Sequence, residues 1–409
     1  MTDQVAALPE SETPPEPPEN GERTDWYARI TGIGERARQW LLIPALALFS
    51  ALVVGALIIA LTDLDALDRL GSEPLAAIGD MASGVATAYR ALFEGAFGSI
   101  RAISETLFAA TPLILAGLSV ALGFRAGLFN IGANGQMLIG GALALWVGIH
   151  LSLPTYLHLT AAITAAMIGG AIWAGIAGLL KARTGAHEVI TTIMLNFVAS
   201  FLVLWALKTA IFQAEGATNP ISAPVKETSQ LIPLLGDEYR VSIGFLIAVA
   251  AVFFVQWLLF RSTLGFEFRA AGFNPSASRY AGMKVSFLYV AVMSLAGGLA
   301  GIAGANQTIG LPPYQASPGF VGIIGFDAIT LALLGRSHPI GVLWAGLLFG
   351  ALKAGGRAMQ GVAQVPLDLV VVMQALIVVF IAAPELVRTI FRVKAAEVEP
   401  TQLTRGWGG

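Results

Sequence analysis

The feature that most constrains this chain is the recurrence of uncharged apolar runs about 20 residues long, beginning with Trp40–Leu61. A bilayer's hydrocarbon core is about 30 Å thick, so a helix rising about 1.5 Å per residue needs that many apolar residues to cross it. Inside lipid the chain must satisfy its own backbone N–H and C=O groups, which leaves helices and closed barrels as the crossing structures. Barrel strands are about 9–11 residues of alternating pattern, and these runs are longer and continuous. Only 12% of the residues are charged, about half the share of a soluble domain. The 46 glycines let helices approach closely, as small residues do in membrane bundles.

The expected fold is therefore all-α, a polytopic membrane protein of about ten spans. They fall at 40–61, 103–124, 128–151 and 158–180, a fifth reaching Phe212, then 241–260, 287–305, 320–334, 340–352 and 365–383. The eighth and ninth are short for a full crossing. Met81–Phe97 carries Arg90 and Glu94 and reads as an amphipathic helix lying on the membrane surface. Residues 1–39 form an acidic, proline-rich tail of disordered composition, ending in the basic Arg29, Arg36 and Arg38; 40–385 is the transmembrane domain and 386–409 a second tail. The opening residues do not resemble a cleaved signal peptide, which starts basic and runs straight into a short apolar core. Lysines and arginines divide about two to one in favour of the loops on the same side as both termini, with Lys353 and Arg357 counted on the other side. Positive loops stay in the cytoplasm, so both termini are expected inside.

Several chemistries are excluded early. The chain has no cysteine, hence no disulfide and no thiolate nucleophile or metal ligand. Its four histidines, His150, His158, His187 and His338, have no metal-ligand spacing, and no metal or other cofactor is expected. A net charge of −2 gives no sign of nucleic-acid binding. No GxxxxGK[ST] string is present, so a phosphate-binding loop would have to come from another chain.

The most informative stretch is residues 124–141, FRAGLFNIGANGQMLIGG. Arg125, Asn130, Asn134 and Gln136 do not suit lipid contact, and Gly127, Gly132 and Gly135 each weaken a helix by about 1 kcal/mol relative to alanine. Two readings fit: a tight glycine turn between packed helices, or a broken helix framing a substrate site. On the second, the amides of Asn130, Asn134 and Gln136 line the path of a neutral, hydroxyl-rich solute, and Phe124 and Phe129 stack on its base or ring. On the first, such amides only join helices, which is the reading preferred for Asn196 and Gln307.

Gly127–Gln136, GLFNIGANGQ, resembles the signature of permease subunits of ABC importers in the branched-chain amino-acid, ribose and nucleoside permease family, and is most similar to the nucleoside and simple-sugar branch. That branch commonly reads GLFNIGAEGQ, so Asn134 replaces a carboxylate. Thr184–Asn196 (with Glu188-Val-Ile) and residues 325–341 (GFDAITLALLGRSHPIG) extend the resemblance, which covers about 100–390. It implies a permease that hydrolyses nothing itself, in a bacterial inner membrane, beside a cytoplasmic ABC ATPase, a second permease subunit, like or unlike, and an external substrate-binding protein. The solute implied is a nucleoside or simple sugar, with branched-chain amino acids as an alternative.

Phe268–Lys284 has its own local logic. Asn274 is a good N-cap, Pro275 suits the first helical position, and Gly282 supplies a left-handed stop. A helix of about two turns follows, with Ala277, Tyr280 and Ala281 on one side. It resembles the family's coupling helix, which seats in the ATPase, and on that resemblance Asn274, Pro275, Ser276, Arg279, Tyr280 and Gly282 are the coupling residues. Without the resemblance the segment is a basic interfacial loop.

A carboxylate inside a span costs about 3 kcal/mol, and Asp327 is the clearest case. It reads as isolated, bonded to nearby backbone or hydroxyl groups rather than relaying protons, which argues against an ion-coupled carrier, the remaining rival. Glu188 reads as sitting at a membrane edge where exposure is cheap. Ile131–Gln136 has a faint echo in Ile302–Gln307, which an inverted repeat or simple coincidence would explain.

Overall fold

The computed structural model describes residue 42 and residues 45–392, so the N-terminal tail lies outside the described residues. The elements are helical: α1 (Ala45–Thr62), α2 (Leu64–Arg69), α3 (Pro74–Phe97), α4 (Ile100–Arg125), α5 (Ala133–His150), α6 (Thr155–Thr184), α7 (Glu188–Leu207) and α8 (Ile243–Arg261). They continue as α9 (Thr263–Phe273), α10 (Pro275–Tyr280), α11 (Val285–Ile309), α12 (Ile324–Leu334), α13 (Pro339–Ala363), α14 (Leu367–Ala382) and α15 (Pro384–Phe391). The last of these bridges the expected boundary of the membrane domain at residue 385.

α4 is the axis. The Ser99 hydroxyl caps its start by accepting from the Ala102 amide (3.0 Å), and every residue from Ala110 to Gly123 is buried. α5, α6 and α11 pack beside it through small residues. No Cβ fits at Gly170, Gly297, Gly301 or Gly304, because backbone of the facing helix occupies the space. Such a seam replaces hydrophobic driving force with close van der Waals contact, since lipid is as apolar as the side chains.

Among the described residues, seven helices are long and apolar enough to cross a membrane: α1, α4, α6, α7, α8, α11 and α13. The chain is a multi-pass membrane protein. Of the spans expected from sequence, the third, eighth and tenth fall short. α5 is 18 residues long but carries Asn134, Gln136 and His150; α12 has 11 residues and α14 has 16. The ninth, in contrast, is a full helix of 25 residues, so Lys353 and Arg357 lie within it and not in an outer loop. Met81–Phe97 is part of the longer α3, and its end packs on α13: Leu92 backbone fills the space above Gly355, and Ala358 that above Gly95. This helix is held against a span and, as expected, is not among those long and apolar enough to cross a membrane.

The echo of Ile131–Gln136 in Ile302–Gln307 does not mark equivalent positions. The first string opens α5, whereas the second lies in the interior of α11. What the architecture does share is shape: a long helix (α4, α11), an irregular link, then a shorter helix (α5, α12). The first turns of α5 and α12 meet.

Candidate functional site

α4 ends at Arg125 because the chain turns left-handed at Gly127 (φ +70°), where the Leu128 amide donates back to the Gly123 carbonyl (2.9 Å). The turn is then fixed by side chains. Asn130 Nδ2 donates to Gln136 Oε1 (3.0 Å) and Ser119 Oγ (3.3 Å), while Gln136 Nε2 donates to Asn130 Oδ1 (2.7 Å), which also accepts from the Gly132 amide (3.1 Å). Both residues are buried. The two amides expected to line a pathway are thus brought together as partners of each other, and they lock the turn.

Asn196 of α7 continues the lock, accepting from the Gly135 amide (2.8 Å) and donating to the Ile131 carbonyl (2.9 Å). This is the helix-joining role expected of it. Glu188, eight residues or about two turns earlier in α7, is buried rather than cheaply exposed. Its carboxylate pairs with Lys181 Nζ of α6 (2.6 Å) and takes a backbone hydrogen bond from Phe129.

Asn134 sits where the first turns of α5 and α12 touch. Its Oδ1 accepts from the Gly325 amide (3.3 Å), and no Cβ fits at Gly325 against Asn134 backbone. Two helix N-termini, each bearing partial positive charge, therefore converge on one partly exposed amide. Phe124 and Phe129 are also partly exposed and tilt against each other with centroids 4.9 Å apart.

The turn also meets α9 backbone to backbone. A Cβ on Gly127 would stand 2.8 Å from Gly272 Cα, and one on Gly272 would stand 2.6 Å from the Ala126 carbonyl carbon. Gly272 belongs to α9, which leads directly into α10. There Asn274 Oδ1 accepts from the Ala277 amide (2.9 Å), Pro275 opens the helix, and Gly282 takes φ +88°. The local signals thus form the short helix the sequence calls for. Ser276, Arg279 and Tyr280 are exposed on it, Tyr280 to 97%.

Arg125 closes the same end of the bundle. Its Nε donates to the Ser337 carbonyl (2.8 Å) and its Nη2 to that of Arg336 (3.3 Å), in a link where both residues take positive φ. Its guanidinium and that of Arg269 lie 5.6 Å and 5.3 Å from the Phe260 ring centroid, a cation–π arrangement. His338 stacks on the same ring at 5.3 Å; burial, and then the Arg125 charge, push its imidazole below the ordinary value.

Asp327 is not isolated. Lys353 Nζ of α13 stands 2.6 Å from its Oδ2. Glu105 of α4 is likewise clamped, by Arg240 (2.9 Å) and Arg357 (3.1 Å). Sequence reading missed these pairs because it placed Lys353 and Arg357 beyond the end of a short span. A charged residue at helical spacing inside an apolar run was the signal that pointed to a longer α13.

Comparison with known proteins adds three relatives and a family. The family model described as "branched-chain amino acid transport system / permease component" matches residues 102–382. The guanosine ABC transporter permease protein NupP of Bacillus subtilis is 37% identical over 348 residues, 85% of this chain and 94% of the relative. The glucose ABC transporter permease protein TsgB13 of Haloferax volcanii is 35% identical over 84% of this chain and 87% of the relative. The nucleoside ABC transporter permease protein NupB of Lactococcus lactis is 33% identical over 90% and 97%.

Proposed function

The chain belongs to the branched-chain amino acid transport system permease family, and from that premise we propose that it is the membrane-spanning subunit of an ATP-driven importer of nucleosides or a simple sugar. The relatives named for guanosine, nucleosides and glucose support that solute class. A neutral, hydroxyl-rich solute also suits the partly exposed Asn134 amide between two helix N-termini.

The observation that carries the mechanism is the backbone contact of Gly127 on Gly272. The exposed helix α10 is the part available to an ATPase. Through α9 it bears on the signature turn, and the turn opens the half-helix α5, whose tip touches α12. Motion of α10 therefore reaches the meeting point of α5 and α12 without passing through flexible side chains, as interior packing transmits displacement. A second permease subunit and an external binding protein complete the assembly. An ion-coupled carrier is disfavoured, because Asp327 already holds a cation in Lys353.

Both termini are assigned to the cytoplasm, with the basic end of the bundle. A reporter fused after Arg269 is expected to behave as cytoplasmic, and one fused near Lys226 as external; the reverse pattern contradicts the orientation.

Coupling has its own test. Tyr280→Ala and Arg279→Glu alter exposed side chains of α10 and leave its caps intact. Both variants are expected to insert normally, while stimulation of the ATPase by loaded binding protein is lost. Unchanged stimulation in both would return residues 268–284 to being a plain basic loop. The function as a whole is tested by purifying the complex through a tag on this chain. An ATPase and a second permease should copurify, and mass spectrometry of the cognate binding protein should find a nucleoside or sugar bound.

A further inference from the structure

α13 exposes two faces of opposite character. Ile340, Trp344 and Val362 make an apolar one, with Trp344 67% exposed. Lys353 follows Trp344 by nine residues, about 900° of helix, which sets it half a turn away. Arg357 and Gln360, about one and two turns further on, stay on the side of Lys353, and both are exposed. Ionisable groups in a span face the bundle interior or water, because lipid contact is costly. The apolar face is therefore the lipid side, and the charged face looks elsewhere.

That face is a cross-paired set. Lys353 holds Asp327 of α12, Glu105 of α4 holds Arg240 and Arg357, and Arg357 Nε donates to the Lys353 carbonyl (3.3 Å). The five side chains remain between 16% and 45% exposed in the single chain. Asp327 lies in the first turn of α12, two residues past Gly325, where that helix meets Asn134. The pairs are thus continuous with the tips of the two half-helices.

We propose that this face lines the water-filled solute pathway, and that Asp327 and Lys353 hydrogen-bond the hydroxyls of a neutral polyol, a ribose or hexose, as it passes. The inference rests on the permease reading and goes beyond it by assigning the wall. The carboxylate accepts from a hydroxyl and the ammonium donates to one. Their mutual charge compensation favours an uncharged solute over an anion or a cation.

This chain has no cysteine, so an introduced thiol is its only one, and the complex without the substitution serves as the blank for thiols on the partner subunits. Thr330 lies three residues beyond Asp327 on α12 and is partly exposed. Thr330→Cys is made in the assembled importer in liposomes and treated with a permanently charged methanethiosulfonate, with Trp344→Cys as the lipid-face comparison. Thr330→Cys should react about a hundredfold faster or more, since a fixed charge is excluded from hydrocarbon. Resistance of Thr330→Cys in both nucleotide-free and vanadate-trapped complexes overturns the proposal. A second arm separates contact from simple pairing. The exchanged pair Asp327→Lys with Lys353→Asp should restore assembly yet raise the KM for labelled guanosine or glucose by about fivefold, the size of one lost hydrogen bond. Wild-type KM in the exchanged pair overturns the solute contact. If the unmodified complex moves neither solute, the nucleoside-or-sugar reading fails, while the labelling arm still reports whether the face is wet.

Discussion

Glu188→Ala is expected to cost about 3 kcal/mol, the usual penalty for removing one partner of a buried ion pair. The substitution leaves the Lys181 ammonium, only 23% exposed, without its counter-charge beside the Tyr289 ring. It also strips an acceptor from the Phe129 amide in the signature turn. The purified complex should unfold at a markedly lower temperature, and less of it should accumulate in the membrane. Replacing both partners, Lys181→Met with Glu188→Leu, should recover much of the loss, because no uncompensated charge remains. Equal losses in the single and double variants would locate the damage elsewhere.

Gly272→Val is expected to have the largest effect on coupling. Its Cβ would stand 2.6 Å from the Ala126 carbonyl carbon and 2.7 Å from the Gly127 nitrogen, both backbone atoms that cannot rotate aside. Either α9 or the signature turn must shift, at about 1–3 kcal/mol. The variant is expected to hydrolyse ATP while transport per ATP falls about tenfold, which corresponds to ~1.4 kcal/mol of lost coupling. Gly282→Ala provides the contrast: its positive φ is strained by the change, yet nothing lies within 4 Å of the added atom. Wild-type transport by Gly272→Val would break the mechanical link from α10 to the turn.

What could be read from sequence divides by distance along the chain. α10 was legible because its whole code is local: an Asn274 cap, a Pro275 start and a Gly282 stop within nine positions. The apolar runs likewise announced α1, α4, α6, α7, α8 and α11. The signature turn is legible as a string, but the contacts inside it are not. Asn130 and Gln136 look like free amides until the turn at Gly127 folds them onto each other. Asn134 differs from them only in facing out of that lock toward α12, which no spacing rule reveals. The charge pairs failed for a related reason. Asp327 and Lys353 are 26 residues apart on helices whose lengths were misjudged, so each was read alone.

The turn also explains why a stretch poor in helix propensity joins so many helices. Gly127 and Gly272 must lack side chains for two backbones to touch, and Gly325 must lack one for α12 to meet Asn134. A local propensity cost of about 1 kcal/mol per glycine is offset by contacts that link α4, α5, α7, α9 and α12.

The measurement that bears most directly on the central claim is uptake into liposomes of the complete assembly: this permease, its partner permease, the ATPase and the binding protein. Labelled guanosine and labelled glucose are offered with ATP enclosed or withheld, and with sodium or proton gradients imposed or absent. The account predicts accumulation of at least one of the two solutes only with ATP and the binding protein, indifferent to either gradient. Accumulation driven by a gradient in the absence of ATP would contradict it.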